Sequence, residues 1–224
     1  MALNTVSLRM LEPYLRNAKI LCLGYPDLLV TPEKLESIFS VKVDARTKRG
    51  KWHRGPNCPM LPETQELFDK LGSTVDCVDV VADYGNEKIV DLNFPHDLGQ
   101  YDLVIDPGTI EHCFNIAQAI INAANAVKVG GHIFHLPPMT MLNHGFYNIC
   151  PTMIYDFYTQ NDWAVEFIAS FNHKGGVPIS LTERFQGDAE ASLYCLVKKT
   201  NANVLRYPVQ SKYASKMEKL KNVA

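Results

Sequence analysis

The sequence has no CxxC pair and no apolar run near the roughly 20 residues a helix needs to span a bilayer. Its six cysteines stand apart, at 22, 58, 77, 113, 150 and 195, several of them inside apolar runs. That scatter argues against a disulfide framework. It fits reduced cysteines acting as small hydrophobes in a cytoplasmic protein. Met1 to Lys19 is polar and amphipathic and lacks the apolar centre of a secretory signal. Charge of one sign is not in excess either: 22 Lys and Arg face 24 Asp and Glu, a net of −2. That balance by itself implies neither a nucleic-acid nor a membrane partner. Internal repeats and low-complexity segments are absent.

What is present suits one domain. A chain of 224 residues, 46% hydrophobic, can bury a substantial core. Thr5 to Asn17 has Leu8, Leu11 and Leu15 at helical spacing. Lys19 to Leu29 starts as an apolar strand and then meets Gly24 and Pro26. Thr31-Pro32-Glu33 opens a helix, with Thr as cap and Pro at the first helical position. Val41 to Pro62 is basic, rich in Gly and Pro, and without periodicity; it reads as a long loop or insertion. Pro62 to Leu71 predicts a helix stopped by Gly72. Strands are predicted at Val75–Val81, Lys88–Leu92, Tyr101–Ile105, His132–Leu136, Ala164–Phe171 and Leu193–Lys198. The last two, joined without a long helix, suggest an antiparallel edge hairpin. Asn201 to Ala224 is a polar tail. Strands alternating with helices imply a doubly wound parallel sheet.

The stretch from Tyr101 to Trp163 is the most informative. It reads as a buried strand, a helix, a turn at Gly130-Gly131 and a second buried strand, one βαβ unit. Ligands bind outside the carboxyl ends of strands in such sheets. Here those ends carry Asp106 to His112 and Pro137 to Tyr147.

These elements resemble the class I S-adenosylmethionine-dependent methyltransferases from about Lys19 to Lys199. Asp-Leu-Val-Ile-Asp-Pro-Gly-Thr-Ile-Glu-His (102–112) looks like the family's fourth strand and the loop after it. Val127-Lys128-Val129-Gly130-Gly131-His132 looks like its entry to the fifth strand. His144-Gly145-Phe146-Tyr147 followed by Pro151 looks like the HGFY segment of a subgroup often linked to sugar, capsule or lipopolysaccharide biosynthesis. The resemblance implies a Rossmann-like seven-stranded sheet, mostly parallel, with an antiparallel C-terminal strand and helices on both faces. It also implies S-adenosylmethionine as cofactor. The family's Gly-x-Gly-x-Gly turn is reduced here to Leu23-Gly24-Tyr25-Pro26-Asp27.

Site residues follow from that frame. Gly24 and Tyr25 occupy the first turn. A ribose-binding acid is expected at the end of the second strand, since a carboxylate accepts from both hydroxyls. Asp44 lies 20 residues past Gly24, the dinucleotide-fold spacing, while the resemblance favours Asp79 because it precedes Asp91-Leu92-Asn93. Asp91 would accept from the adenine amino group, with Leu92 packed on the ring. Asp106, Gly108 and Thr109 would approach the cofactor after the fourth strand. Glu111 reads as an acid suited to capping the next helix. His144 is the preferred general base, because an imidazole titrates near neutral pH. His112 is a second candidate, and Tyr147 could orient the acceptor or hold the loop. Cys150 stands where the subgroup usually has Ser.

Tyr155, Phe157, Tyr158 and Trp163 read as core packing. His53 and Cys58 have metal-binding chemistry, but nothing nearby completes a site, so no metal is expected. The basic run Lys42 to Arg54, with Trp52, reads as a solvated loop or as a clamp for an anionic acceptor. The function implied is methyl transfer to a small-molecule or glycan acceptor, at a hydroxyl oxygen. The alternatives are a non-catalytic binding protein that keeps the fold, and N-methylation of a peptide or natural-product intermediate.

Overall fold

A computed structural model describes residues 2–47, 60–172, 174–181, 184 and 187–213. The chain runs through β1 (Ala2–Asn4), α1 (Thr5–Leu11), β2 (Lys19–Leu23), β3 (Asp27–Leu29), α2 (Pro32–Phe39), β4 (Ala45–Thr47), β5 (Leu61–Pro62) and α3 (Thr64–Lys70). It continues with β6 (Thr74–Asp79), β7 (Glu87–Ile89), β8 (Tyr101–Asp106), α4 (Ile116–Asn125), β9 (Val127–His135), α5 (Pro151–Gln160), β10 (Ala164–Asn172), β11 (Gly175–Pro178) and β12 (Ser192–Lys198).

Local chemistry sets many of the boundaries. Asn4 and Ser7 form a reciprocal capping box that starts α1. The expected start of α2 is found: Thr31 accepts from the Lys34 N–H, and Pro32 opens the helix. Asn115 caps α4, so Glu111 is not the cap that the sequence suggested. Pro151 opens α5.

The main sheet has the order β11-β10-β12-β9-β8-β2-β6-β7. β7, β6, β2, β8 and β9 pair in parallel. β12 is antiparallel to both of its neighbours, β9 and β10. All seven expected strands are present, and the short β11 adds an eighth at the β10 edge. The expected antiparallel pair of the last two predicted strands, β10 and β12, is present, but β11 takes the edge and β12 lies between β9 and β10. Its five central residues are all buried, which suits insertion between two partners.

Alternate strand residues feed two cores. Leu21, Leu23 and Val104 face the cluster containing Ile120, Ala123, Phe157, Tyr158 and Trp163. Ile20, Cys22, Leu103 and Ile105 face the cluster of Leu8, Leu11, Leu35, Phe39, Leu67 and Phe68. Each such fully buried side chain contributes about 1.5–3 kcal/mol relative to an exposed one. Of the expected aromatic stripe, Phe157, Tyr158 and Trp163 lie in the core and Tyr155 is half-buried. The described cysteines are all unpaired, as expected.

One feature departs from the sequence reading. Gly130-Gly131 is not a turn between helix and strand but an irregularity within β9, where the register with β8 shifts. A Cβ at residue 131 would lie 2.7 Å from the Asp102 carbonyl oxygen, so only glycine fits there. Within the polar tail, Asn161 and Gln160 hydrogen-bond to the backbone of 201–210 and hold it against the end of α5. Most of the basic loop, including Trp52, His53 and Cys58, lies outside the described residues. Among those residues, no helix is long and apolar enough to cross a membrane.

Candidate functional site

The carboxyl ends of β2, β6, β7, β8 and β9 share one edge of the sheet, and the expected site residues gather there. β6 pairs directly with β2, so Asp79 is the residue that ends the second strand. Asp44 lies instead on the exposed segment between α2 and β4. Asp79, not Asp44, stands at the carboxyl edge of the sheet.

On the β2–β6–β7 side, two carboxylates are held only by nearby chain. The Asp79 Oδ1 accepts from the Val80 N–H at 2.7 Å and the Val81 N–H at 3.4 Å. Partial burial raises its pKa, and those two N–H groups oppose the rise. The exposed Asp91 accepts from the Asn93 N–H at 2.9 Å and the Asn93 side chain at 2.7 Å. Those donors hold its pKa below the ordinary value. Leu92 is buried beneath it, while Val80, Val81 and Phe94 expose their side chains nearby in the chain.

The first turn is tightly packed. The Gly24 N–H donates to the Val78 carbonyl at 2.7 Å. Tyr25 is only 3% exposed. Its ring stacks on Tyr84 at 4.6 Å, and its hydroxyl bonds to Glu63 and accepts from the Gln65 N–H. Burial and the Glu63 carboxylate push that phenol far above its ordinary pKa. Beyond it, β3 pairs with β1, a strand that sequence periodicity did not reveal. Thr109, expected at the cofactor, bonds through its hydroxyl to the Leu23 carbonyl and ties the first turn to the loop after β8.

On the β8–β9 side, Asp106 and His135 are register partners at the ends of adjacent strands. The Asp106 Oδ2 lies 2.7 Å from His135 Nδ1, and His135 Nε2 lies 2.7 Å from the Tyr158 hydroxyl. All three residues are 0% exposed. A neutral imidazole satisfies both contacts, donating from Nδ1 to the carboxylate and accepting at Nε2 from the phenol. The Asp106 Oδ1 also accepts from the Thr109 and Ile110 N–H groups at 2.9 and 3.4 Å. Asp106 is thus fully engaged inside the protein. His135 was not among the residues expected at the site; its signal is a histidine ending the apolar run Ile133-Phe134, level with the strand-ending Asp106.

Glu111 sits in a short 3-10 turn, Ile110–His112. Its side chain is buried, yet neither carboxylate oxygen has a hydrogen-bond partner. Desolvation raises its pKa. His144 Nε2 lies 3.5 Å and His112 Nε2 3.8 Å from its Oε1. Both histidines are about half exposed, and their ring centroids are 5.3 Å apart. Burial, then the neighbouring His144, lowers the pKa of His112. The two histidines named separately in the sequence therefore meet over one carboxylate.

The HGFY segment is docked on that turn. A Cβ at residue 145 would lie 2.9 Å from the Glu111 carbonyl oxygen, so glycine permits the contact. The Phe146 N–H donates to that same oxygen at 2.9 Å. Tyr147 donates to the Phe114 carbonyl at 2.8 Å, which makes it a brace for the loop. Beside the histidines, Phe114 and Phe146 meet edge to face at 5.7 Å while remaining 73% and 66% exposed.

No family model matches the chain, and no curated protein does. Solved structures do. The 1,6-didemethyltoxoflavin-N1-methyltransferase of Burkholderia thailandensis, a complex with 1,6-didemethyltoxoflavin and S-adenosylhomocysteine, superposes with a TM-score of 0.51 at 12% identity. That match covers 86% of this chain and 76% of the other. The fold is that of the class I methyltransferases. TehB from Haemophilus influenzae gives a TM-score of 0.49 at 11% identity over 86% of this chain; the match spans 60% of TehB's length. A possible histamine N-methyltransferase from Thermotoga maritima gives 0.39 at 14% identity, covering 88% of this chain and 90% of the other. In this methyltransferase fold, Asp79 and Asp91 end neighbouring strands on one half of the ligand edge. Glu111, His112 and His144 stand on the other half.

Proposed function

We propose that the chain is an S-adenosylmethionine-dependent methyltransferase whose acceptor is a small molecule or glycan carrying a hydroxyl group. One observation carries this reading: two accessible carboxylates and an imidazole pair share the ligand edge of a methyltransferase-type sheet. The residues fit the cofactor. Both N–H donors to Asp79 go to Oδ1, which leaves Oδ2 for ribose hydroxyls. Asp91 faces solvent with a carboxylate suited to the adenine amino group, and Leu92 packs below it. Gly24, Gly108 and Thr109 supply backbone close to the ligand. Tyr25 and Asp106 act through packing, by fixing the two loops.

When bound, S-adenosylmethionine supplies a methyl carbon activated by its sulfonium. The protein's own part is to position the acceptor and receive its proton. His144 and His112 are the groups for that proton, and Tyr147 fixes the loop that carries His144. Phe114 and Phe146 offer apolar surface to the body of the acceptor. The HGFY segment supports a sugar-related acceptor, and the basic 42–54 run supports an anionic one.

Calorimetric titration with S-adenosylmethionine and S-adenosylhomocysteine tests the cofactor. Micromolar binding, lost in Asp79→Ala, is the expected result. Absence of binding at millimolar concentration would overturn it and favour a second reading, a non-catalytic partner-binding protein. The packed Tyr25-Pro26 turn is the observation behind that alternative. Turnover insensitive to His144→Ala would instead favour an amine acceptor.

A further inference from the structure

Among the described residues, Glu111 is the buried acid whose two oxygens both lack a hydrogen-bond partner. A buried carboxylate is ordinarily paired, hydrogen-bonded or bound to a metal. Here two imidazoles stand at ion-pair range, with Nε2 of His144 at 3.5 Å and of His112 at 3.8 Å from the same oxygen. One ligand atom from each of Glu111, His112 and His144 falls within 4.8 Å of the other two.

That spacing suits a common central ion. Ligands at about 2.1 Å from a tetrahedral metal lie about 3.4 Å from one another. The observed oxygen-to-nitrogen separations are 3.5 and 3.8 Å. The flanking positions are kept small: a Cβ at Gly108 would fall 3.0 Å from Glu111 Oε1, and one at Gly145 would fall 3.0 Å from Glu111 Cγ. The open side is where the two half-exposed imidazoles meet solvent.

We propose that Glu111, His112 and His144 form a binding site for a divalent transition-metal ion. Two imidazoles and one carboxylate favour zinc, cobalt, nickel or iron over magnesium or calcium, whose preferred ligands are all oxygen. Three protein ligands leave coordination positions for water or for an acceptor oxygen. This deepens the methyltransferase reading and rests on it for the acceptor's role. A hydroxyl bound to the cation has a lowered pKa; its O–H bond breaks, the proton passes to solvent water, and the oxygen stays on the metal. With the cation bound, the histidines serve as its ligands; in the metal-free protein they are the proton acceptors of the proposed reaction.

The test is titration of the full chain with zinc chloride by calorimetry, and with cobalt(II) followed by its visible absorption. The wild type is expected to take up one equivalent. Removing a second-shell partner weakens metal sites about 10- to 100-fold, so Glu111→Gln, His112→Ala or His144→Ala should each cost at least that. His132→Ala, away from the cluster, should bind as the wild type does. Thermal melts confirm that each variant is folded, and Glu111→Gln preserves side-chain shape. Absence of stoichiometric uptake by the folded wild type would overturn the site. So would uptake unchanged in the triple variant. S-adenosylmethionine titrated into the same samples separates the two ideas. Cofactor binding without metal uptake overturns the metal site and leaves the methyltransferase reading intact. Metal uptake lost in the ligand variants, without cofactor binding, supports the site and overturns that reading.

Discussion

The two halves of the ligand edge treat their carboxylates differently. On the β2–β6–β7 half, Asp79 and Asp91 accept from N–H groups one or two residues along the chain and keep contact with water. On the β8–β9 half, Asp106 lies fully inside the protein with His135 and two backbone donors, while Glu111 is equally buried with no hydrogen bond. The same functional group is a partly exposed acceptor, a structural strut and a buried acid without a hydrogen-bond partner along one sheet edge. What differs is the number of donors and the amount of water, which set both the cost of the charge and its availability.

The largest expected effect breaks the strut. His135→Ala removes the donor to Asp106 Oδ2 and leaves that oxygen buried without a partner, while Oδ1 keeps its two backbone donors. Leaving a buried acceptor unsatisfied costs about 1–3 kcal/mol, and more for a charged one, and chemical denaturation should show it. A midpoint equal to the wild type's would mean the contact stabilises nothing.

Gly145→Ala comes next. Its Cβ would press on the Glu111 carbonyl oxygen at 2.9 Å, where the obstacle is backbone. Overpacking of this kind costs about 1–3 kcal/mol. The substitution should also pull His144 from Glu111, so cobalt(II) affinity should fall together with the melting temperature.

The smallest effect has the opposite sign. The folded state raises the pKa of Asp79, with desolvation the main cause. The native state therefore holds this proton more tightly than the unfolded chain, and stability falls as pH rises through the two values. The penalty is fully present above the folded pKa and absent below the unfolded one, about 3.9. Asp79→Asn should raise the melting temperature slightly at pH 7 and leave it unchanged near pH 3, while weakening cofactor binding. A lower melting temperature at pH 7 would make Asp79 a structural residue like Asp106.

Much of this was legible in the chain because it rests on local pattern. Thr31-Pro32 marks a helix start by its own chemistry, and apolar runs such as Tyr101–Ile105 mark buried strands. Asp79 was favoured through resemblance, and the pairing of β6 with β2 supports that choice. The pairing of β1 with β3 was not legible, because three residues carry too little periodicity. Gly130-Gly131 looked like a turn because the pair commonly makes one; only the approach of the Asp102 carbonyl shows why a strand needs it.

The sequence by itself determined the order of the seven predicted sheet strands and the list of residues able to do acid, base or ligand chemistry. Those follow from side-chain type and spacing along the chain. Tertiary structure alone decided which of them meet. His135 lies 29 residues from Asp106 and His144 lies 33 from Glu111. Strand pairing and the docking of Gly145 bring them within a few ångströms. Whether a carboxylate there is satisfied or left orphaned depends on donors and water in three dimensions, and no spacing in one dimension records that.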